Sequence, residues 1–346
     1  MKFRRKNFAL SMLTAVMALG AIGCGQQQAA QPAAGGTQPA AAEATTEAKK
    51  TDFPKKDVEF VVGFSAGGGT DVVARIVANA ANKYMPNGKT IVVSNKPGGS
   101  GTIALADIMQ VKDGYKIGSV TTGNLAIQPN YGKTPFKADG FIPIAQFNSA
   151  QNLLVVKADA PWQTYDEWLD YVKKNPDKFT YGTAGAGNTQ HLTMEAINIM
   201  ENIKTKHVPF DGAAPAMTAL LGGHVQGAVV LTQEAKPHVD AGAFRVLANA
   251  GTSKYEPYNS AKFLKDKGFV GLDTWSGVVV SKDTPKEAVD VLREAFKKAM
   301  ADPDVKTEFN KIGLEPAYAD SEEFAKIIAE TSKTTGDVAK KIGLVK

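Results

Sequence analysis

The junction at residues 63–75, GFSAGGGTDVVAR, restricts the fold more than any other stretch. The apolar run Val58–Val62 precedes it, with the length and β-branched content of a buried strand. Val72, Val73, Ile76, Val77 and Ala80 follow it at the spacing of one helix face. Glycines therefore stand where a strand hands over to a helix N-terminus. Glycine permits backbone geometry and close approach that a side chain blocks. The unpaired N–H groups and positive dipole end of a helix start favour an anion. The spacing is near that of a phosphate loop, G-x-x-x-x-G-K-[ST]: Gly63, Gly68 and Thr70 fit, but Gly69 replaces the lysine. A triphosphate loses its principal cation there, whereas a carboxylate can be held by N–H groups and hydroxyls alone. A tight turn that binds nothing is the other reading these residues allow.

The same rhythm continues. Residues 91–95 read as a strand, 96–101 as a second glycine-rich turn, 103–111 as a helix and 116–120 as a strand. Alternation of this kind builds an open α/β sheet whose ligands gather at the carboxyl ends of strands. Thr121, Thr122, Gly123 and Asn124 end one such strand, as cleft wall or as plain loop. Residues 142–147 and 153–157 are predicted as two strands flanking a polar break at 148–152. Thr164 and Glu167 form a capping-box pattern opening a helix to Lys174. Residues 179–181 read as a strand. The stretch 182–192, GTAGAGNTQHL, then leads through glycines into a helix predicted over 193–200. Two glycine-rich helix starts in two α/β segments suggest two lobes presenting anion-binding helix ends to one cleft.

Further strands are expected at 226–231, ending in Thr232, Gln233 and Glu234, and at 244–249 and 277–281. Residues 213–221 read as a helix. Thr284, Pro285, Lys286 and Glu287 read as a helix start with threonine as N-cap. Phe324, Ile327, Ile328, Thr331, Thr335, Val338 and Ile342 trace one apolar stripe of a long last helix.

The N-terminus reads as an address. Lys2, Arg4, Arg5 and Lys6 precede an apolar run at 8–22, too short to span a membrane comfortably, and then small residues before Cys24. Residues 1–23 are thus expected to be a signal peptide. Its end resembles the bacterial lipoprotein signal, with Cys24 as the lipidated residue. Cys24 is the sole cysteine, so no disulfide within the chain and no cysteine metal cluster can form. Residues 24–52, rich in Gln, Ala, Pro, Gly and Thr, read as a flexible tether. The chain's net charge of +5 less the four charges of the signal leaves +1, which argues against a nucleic-acid partner. Roughly 290 residues remain, enough for one large or two medium domains with proper cores.

His191 and His207 are sixteen positions apart, without cysteine or acid at metal-ligand spacing, so no metal site is expected. Ser65, His191 and Asp71 make a conceivable triad, but Ser65 lacks the G-x-S-x-G elbow. No catalytic residue is assigned, and His191 reads as a structural or ligand-bonding histidine.

These motifs resemble the substrate-binding lipoproteins of the tripartite tricarboxylate transporter family, the Bug receptors. The family's P-F-P-A-G-G-G-T-D is matched by Phe64, Ala66, Gly67, Gly68, Gly69, Thr70 and Asp71, with Gly63 and Ser65 replacing the prolines. N-R-P-G-x-x-G appears as Asn95, Pro97, Gly98 and Gly101, with Lys96 for arginine. D-G-Y is Asp113, Gly114 and Tyr115. The G-x-S-S-H-L loop is 187–192, with Thr189 and Gln190 before His191. H-V-P-Y-K-G is 207–212, with Phe210 and Asp211 substituted. L-L-G-G-x-V-D is 220–226, and T-P-K-E is 284–287.

The resemblance implies an α/β, type II periplasmic-binding-protein fold: two α/β lobes, two hinge strands, a ligand cleft between. Lobe 1 is expected at 53–147 plus 252–346 and lobe 2 at 148–251. It implies a monomeric extracytoplasmic receptor, lipid-anchored to the membrane. The receptor captures a small organic carboxylate, without metal or cofactor, and passes it to one large and one small membrane subunit. The ligand-binding residues it implies are Phe64, Ser65, Ala66, Gly67, Gly68, Gly69, Thr70, Asp71, Thr122, Asn124, Gly187, Asn188, Thr189, Gln190, His191, Phe210, Asp211 and Gln233. Asp211 stands where the family often has lysine. If it reaches the pocket it disfavours a second carboxylate; pointing to solvent is the alternative. A receptor presenting ligand to a sensor kinase shares these features, and a hydrolytic enzyme is the remaining class.

Overall fold

The structure, a computed structural model, describes residues 52–131, 134–252, 256–258, 260–269 and 271–341. The expected signal peptide, Cys24, the tether up to residue 51 and Ile342 lie outside the described residues. In chain order come β1 (Val58–Val62), α1 (Gly69–Asn82), β2 (Ile91–Asn95), α2 (Thr102–Met109), β3 (Lys116–Thr121) and α3 (Gln128–Tyr131). Next are β4 (Phe141–Lys157), α4 (Tyr165–Lys174), β5 (Thr180–Thr183), α5 (Thr189–Glu201), β6 (Lys206–Pro209), α6 (Ala213–Leu221), β7 (Gly227–Leu231), α7 (Thr232–Asp240) and β8 (Phe244–Asn249). Last are β9 (Lys262–Phe263), β10 (Asp273–Ser281), α8 (Lys286–Ala301), α9 (Pro303–Lys311), β11 (Pro316–Ala319) and α10 (Ser321–Lys341).

The strands run in the order β2-β1-β3-β10-β4-β7-β5-β6. β1 pairs parallel with β2 and β3, as helical crossovers require. β10 pairs antiparallel with β3 and β4. β4 belongs to both lobes. Its first part, from Phe141 to Gln151, pairs with β10; its second, from Asn152 on, pairs with β7 and β8. β5 lies parallel between β7 and β6. The two expected strands at 142–147 and 153–157 are therefore one strand of 17 residues. The polar residues that mark a break in the sequence bond across the sheet, although Asn152 Oδ1 keeps no partner among the described residues. Asn148 accepts a hydrogen bond from Ser276 Oγ, and Asn152 Nδ2 donates to the Leu272 carbonyl at 2.6 Å.

Each lobe buries apolar side chains on both faces of its sheet. Alternation along β1 sends Phe60 one way, against Phe147 and Phe296 at ring separations of 6.5 and 6.1 Å, and Val61 the other, toward Leu105, Val120 and Phe324. Along β4, Leu154 and Val156 join Trp168, Phe179 and Tyr181, while Leu153 and Val155 join Val230 and Phe244. Each such large buried side chain contributes about 2–3 kcal/mol. Phe324, Ile328 and Thr335 of α10 are buried, following the expected stripe; the side chain of Val338 lies outside the described set.

Three helix boundaries depart from expectation. α5 starts at Thr189, four residues before the predicted 193, because Asn188 Oδ1 accepts the His191 N–H and caps it. α8 starts at Lys286 with Pro285 at the cap, and Thr284 makes no capping bond. α7 has no counterpart in the sequence reading, since Pro237 inside it argues against a helix. Among the described residues no helix is long and apolar enough to cross a membrane.

Candidate functional site

Four helices begin at one small cavity. Its walls are Phe64, Gly68, Gly69 and Thr70 at the start of α1; Ala184, Asn188, Thr189 and Gln190 at the start of α5; Ala213 at the start of α6; Leu231 and Glu234 at the start of α7; and Thr121, Gly123 and Thr274. The first N–H groups of a helix have no partner within it. Converging helix starts therefore supply donors and positive potential without a cationic side chain. The cavity measures about 20 Å³, room for about one water.

The sequence explains this local geometry. Gly68 caps α1 from an extended conformation. Gly69 permits close packing: a Cβ there would lie 2.7 Å from Glu234 Cγ and 2.9 Å from Gln233 Nε2. Gly187, at φ +69°, turns the chain into α5, and a Cβ on it would meet Tyr131 at 2.3 Å. Thr189 Oγ1 shares a hydrogen bond of 2.5 Å with Thr274 Oγ1. Asn188 Nδ2, buried in the cavity wall, finds no hydrogen-bond partner among the described residues, and neither does Gln233 Oε1. Orphaned buried polar groups of this kind need an account, because each carries a desolvation cost.

Of the residues expected at the site, Phe64, Gly68, Gly69, Thr70, Asn188, Thr189 and Gln190 meet at the cavity. Others stand behind it and hold its walls. Asp71 is turned away from the cavity. Its carboxylate accepts from the Gly67 N–H (2.9 Å), Arg75 Nε (3.0 Å) and Asn95 Nδ2 (2.9 Å), so it ties the loop to α1 and β2. Burial raises its pKa, but the hydrogen bonds from Arg75, Gly67 and Asn95 outweigh that and hold it below the usual carboxylate range. Gly67 therefore spends its N–H on Asp71, and Ala66 is exposed. Ser65 donates both N–H and Oγ–H to the Asp211 carbonyl, at 3.1 and 3.0 Å.

His191 also lies behind the wall. Its Nδ1 accepts the Gly187 N–H at 3.0 Å, and its ring stacks on His207 at 4.1 Å. Burial lowers the pKa of His191 and, with the neighbouring His191, takes His207 down to about 3. The pair is neutral near pH 7 and supplies no cation. Ser65, His191 and Asp71 thus serve three separate bonding arrangements rather than a triad. Thr122 and Asn124 are replaced at the cavity by their neighbours Thr121 and Gly123. Asn124 Oδ1 accepts the Thr121 N–H and Thr122 Oγ1 accepts the Trp275 N–H, which builds a tight π-helical turn over Thr122–Ile127. Phe210 and Asp211 border a separate, wider hollow of about 410 Å³ with Ser100, Gln128, Tyr131 and Gly185; Asp211 is exposed there. Among the described residues no group of three His, Asp or Glu is placed to hold a metal ion.

Thr121, Gly123, Ala184, Ala213, Leu231 and Thr274 line the cavity without being among the ligand-binding residues that the resemblance implies, and the ionisable residue missed from the sequence is Glu234. It is 5% exposed, with Oε1 accepting the Gly69 N–H at 3.3 Å and Oε2 the Leu231 N–H at 2.8 Å. Burial pushes its pKa up to about 7 against the lowering effect of those two bonds. The available signal was a glutamate three residues beyond a strand end, the back half of a capping box.

Comparison with known proteins gives a consistent result. The family described as tripartite tricarboxylate transporter family receptor matches residues 73–344. A Cupriavidus necator protein described as "UPF0065 protein in gbd 5'region" is 36% identical over 311 residues, covering 87% of this chain and 91% of its own. The periplasmic binding protein BugD has 28% identity and a TM-score of 0.78, over 85% of this chain and all of its own. An R. palustris protein solved with adipate has 26% identity and a TM-score of 0.78, over 85% of this chain and 99% of its own. BugD is a periplasmic binding protein, and the matched family is one of receptors rather than enzymes.

Proposed function

Because the chain belongs to the tripartite tricarboxylate transporter receptor family, we propose that it captures a small organic carboxylate between its lobes and delivers it to a tripartite membrane transporter. The observation that carries this reading is the convergence of the starts of α1, α5, α6 and α7 on one cavity with an unpartnered Asn188 Nδ2 and no cationic wall residue. A carboxylate there accepts charge-assisted bonds from N–H groups and hydroxyls. Adipate in a solved relative supports the ligand class. We take lobe 1 as 53–147 plus 252–346 and lobe 2 as 148–251, with the ligand touching Gly68–Thr70 on one side and Asn188–Gln190 on the other. Phe210 and Asp211 belong to the outer hollow, where they would meet the far end of a longer ligand. Residues 1–23 are removed as a signal peptide, Cys24 carries the lipid, and the receptor works as a monomer beside one large and one small membrane subunit.

A thermal-shift screen of succinate, glutarate and adipate at about pH 6.5 tests the ligand class. A binder at about a hundred times its Kd stabilises the fold by about 2.7 kcal/mol. No shift with any of the three, and none with aromatic or amino acids, would refute it. Cell fractionation of a Cys24→Ser variant tests the anchor: the variant leaves the membrane fraction if Cys24 is the attachment point.

A further inference from the structure

We propose that Glu234 makes ligand capture proton-linked: the seat accepts a carboxylate only when Glu234 carries a proton, which the two carboxyl groups then share. The inference rests on the carboxylate reading above. It starts from a peculiarity of the seat. The protein's own carboxyl group already holds the first N–H of α1, at Gly69. A ligand carboxylate brought to the same helix start arrives beside Glu234 with little water between them.

Nothing in the surroundings neutralises two negative charges. Of the fourteen residues that line the cavity, Glu234 is the sole ionisable one. From α1, Asp71 and Arg75 face each other and Asn95 instead of the cavity. From α5, His191 is neutral, stacked on His207, and Glu195 lies beyond its Nε2 at 3.8 Å. On α7 itself, Lys236 pairs with Asp240 at 2.5 Å, and His238 packs on Phe244 at 4.7 Å with its pKa lowered by burial. The loop before α6 brings Asp211, another acid, and it is exposed. β7 and β10 contribute Leu231 and Thr274 to the wall, both uncharged, and Asp273 beside Thr274 bonds to Thr252. Two carboxylates in one dry site cannot both ionise; one of them keeps its proton.

Glu234 is the group prepared to do so. Burial raises its pKa to about 7 against the lowering effect of the Leu231 and Gly69 N–H bonds, and no charged neighbour contributes to that shift. The proton comes from solvent and sits on a Glu234 carboxyl oxygen. From there the O–H donates to a ligand oxygen, while the Asn188 Nδ2 donor, unpartnered otherwise, is available to the same carboxylate. When Glu234 is ionised, it holds the helix start itself and repels the ligand.

The test is isothermal titration of succinate, glutarate and adipate into wild type and Glu234→Gln. It runs between about pH 6.5 and about pH 8.5, above the range in which these acids titrate, in two buffers of different ionisation enthalpy. Wild type should take up close to one proton per ligand at the alkaline end, and its affinity should fall about tenfold per pH unit above about pH 7.5. Glu234→Gln should bind with no proton uptake and an affinity independent of pH. Wild-type binding that is flat with pH and free of proton uptake overturns the inference alone, whether or not the variant folds. A slope that survives in Glu234→Gln does so too. No binding of any of the three acids, nor of aromatic or amino acids, by either protein at any pH refutes the carboxylate reading, and the proton linkage falls with it.

Discussion

Gly69 and Gly68 are adjacent and look interchangeable in the sequence, yet the structure gives them different work. A Cβ on Gly69 would strike Glu234 and Gln233, both on α7, within 2.9 Å. A Cβ on Gly68 would meet nothing closer than the Ser65 carbonyl at 3.3 Å, and its φ of −77° suits any residue. Gly69→Ala should therefore cost about 1–3 kcal/mol through overpacking, and Gly68→Ala less than about 1 kcal/mol. Urea melts of both variants decide it, and equal costs would show that the close approach of α1 to α7 carries no weight. The acid four residues into the motif reads differently once folded, too. Asp71 sits beside glycines and looks like part of a binding loop, but an isolated carboxylate in an anion seat would repel its ligand. Arg75 and Asn95 draw it to the back of the loop.

At the scale of elements, α5 shows what capping decides. Asn188 holds the His191 N–H with Oδ1 and leaves Nδ2 in the cavity wall. Asn188→Ala should lose about 1 kcal/mol of stability with the cap and weaken carboxylate binding as well. Asn188→Asp should keep the cap but place a negative charge at the seat, so that stability is retained while affinity falls at least about tenfold, the price of one lost charge-assisted bond. Denaturation and calorimetry on the two variants separate the roles; full binding by Asn188→Asp would remove Asn188 from the site. Amphipathic helices such as α1 and α10 were legible, since their apolar spacing is local information. β4 and α7 were not. The interruption at 148–152 disappears because Ser276 and the Leu272 carbonyl, remote in sequence, bond to Asn148 and to Asn152 Nδ2. Pro237 hides α7, whose start is secured by Glu234 bonding to Leu231 N–H.

At the scale of the whole molecule, the lobes meet closely. Ser100 Oγ donates to the Ala186 carbonyl at 2.7 Å, Gln128 Nε2 to the same oxygen at 2.6 Å, and Gly69 to Glu234. A cavity of about 20 Å³ cannot admit a dicarboxylate unless these contacts part. Small-angle scattering without ligand should include a more open population, and saturating ligand should shrink the radius of gyration as the closed state gains by its differential affinity. Superimposable curves would place the seat in a rigid cleft instead. Family, the alternation of strand and helix, and the two glycine-rich helix starts were legible along the chain, because motif, periodicity and turn chemistry act between near neighbours. Tertiary structure decided which polar groups face the cavity and which brace it, that β4 crosses both lobes, and that a glutamate from α7 sits on the first N–H of α1. Those outcomes depend on partners 100 residues and more away in the chain, whose approach removes water and thereby sets both the hydrogen bonds and the charge of Glu234.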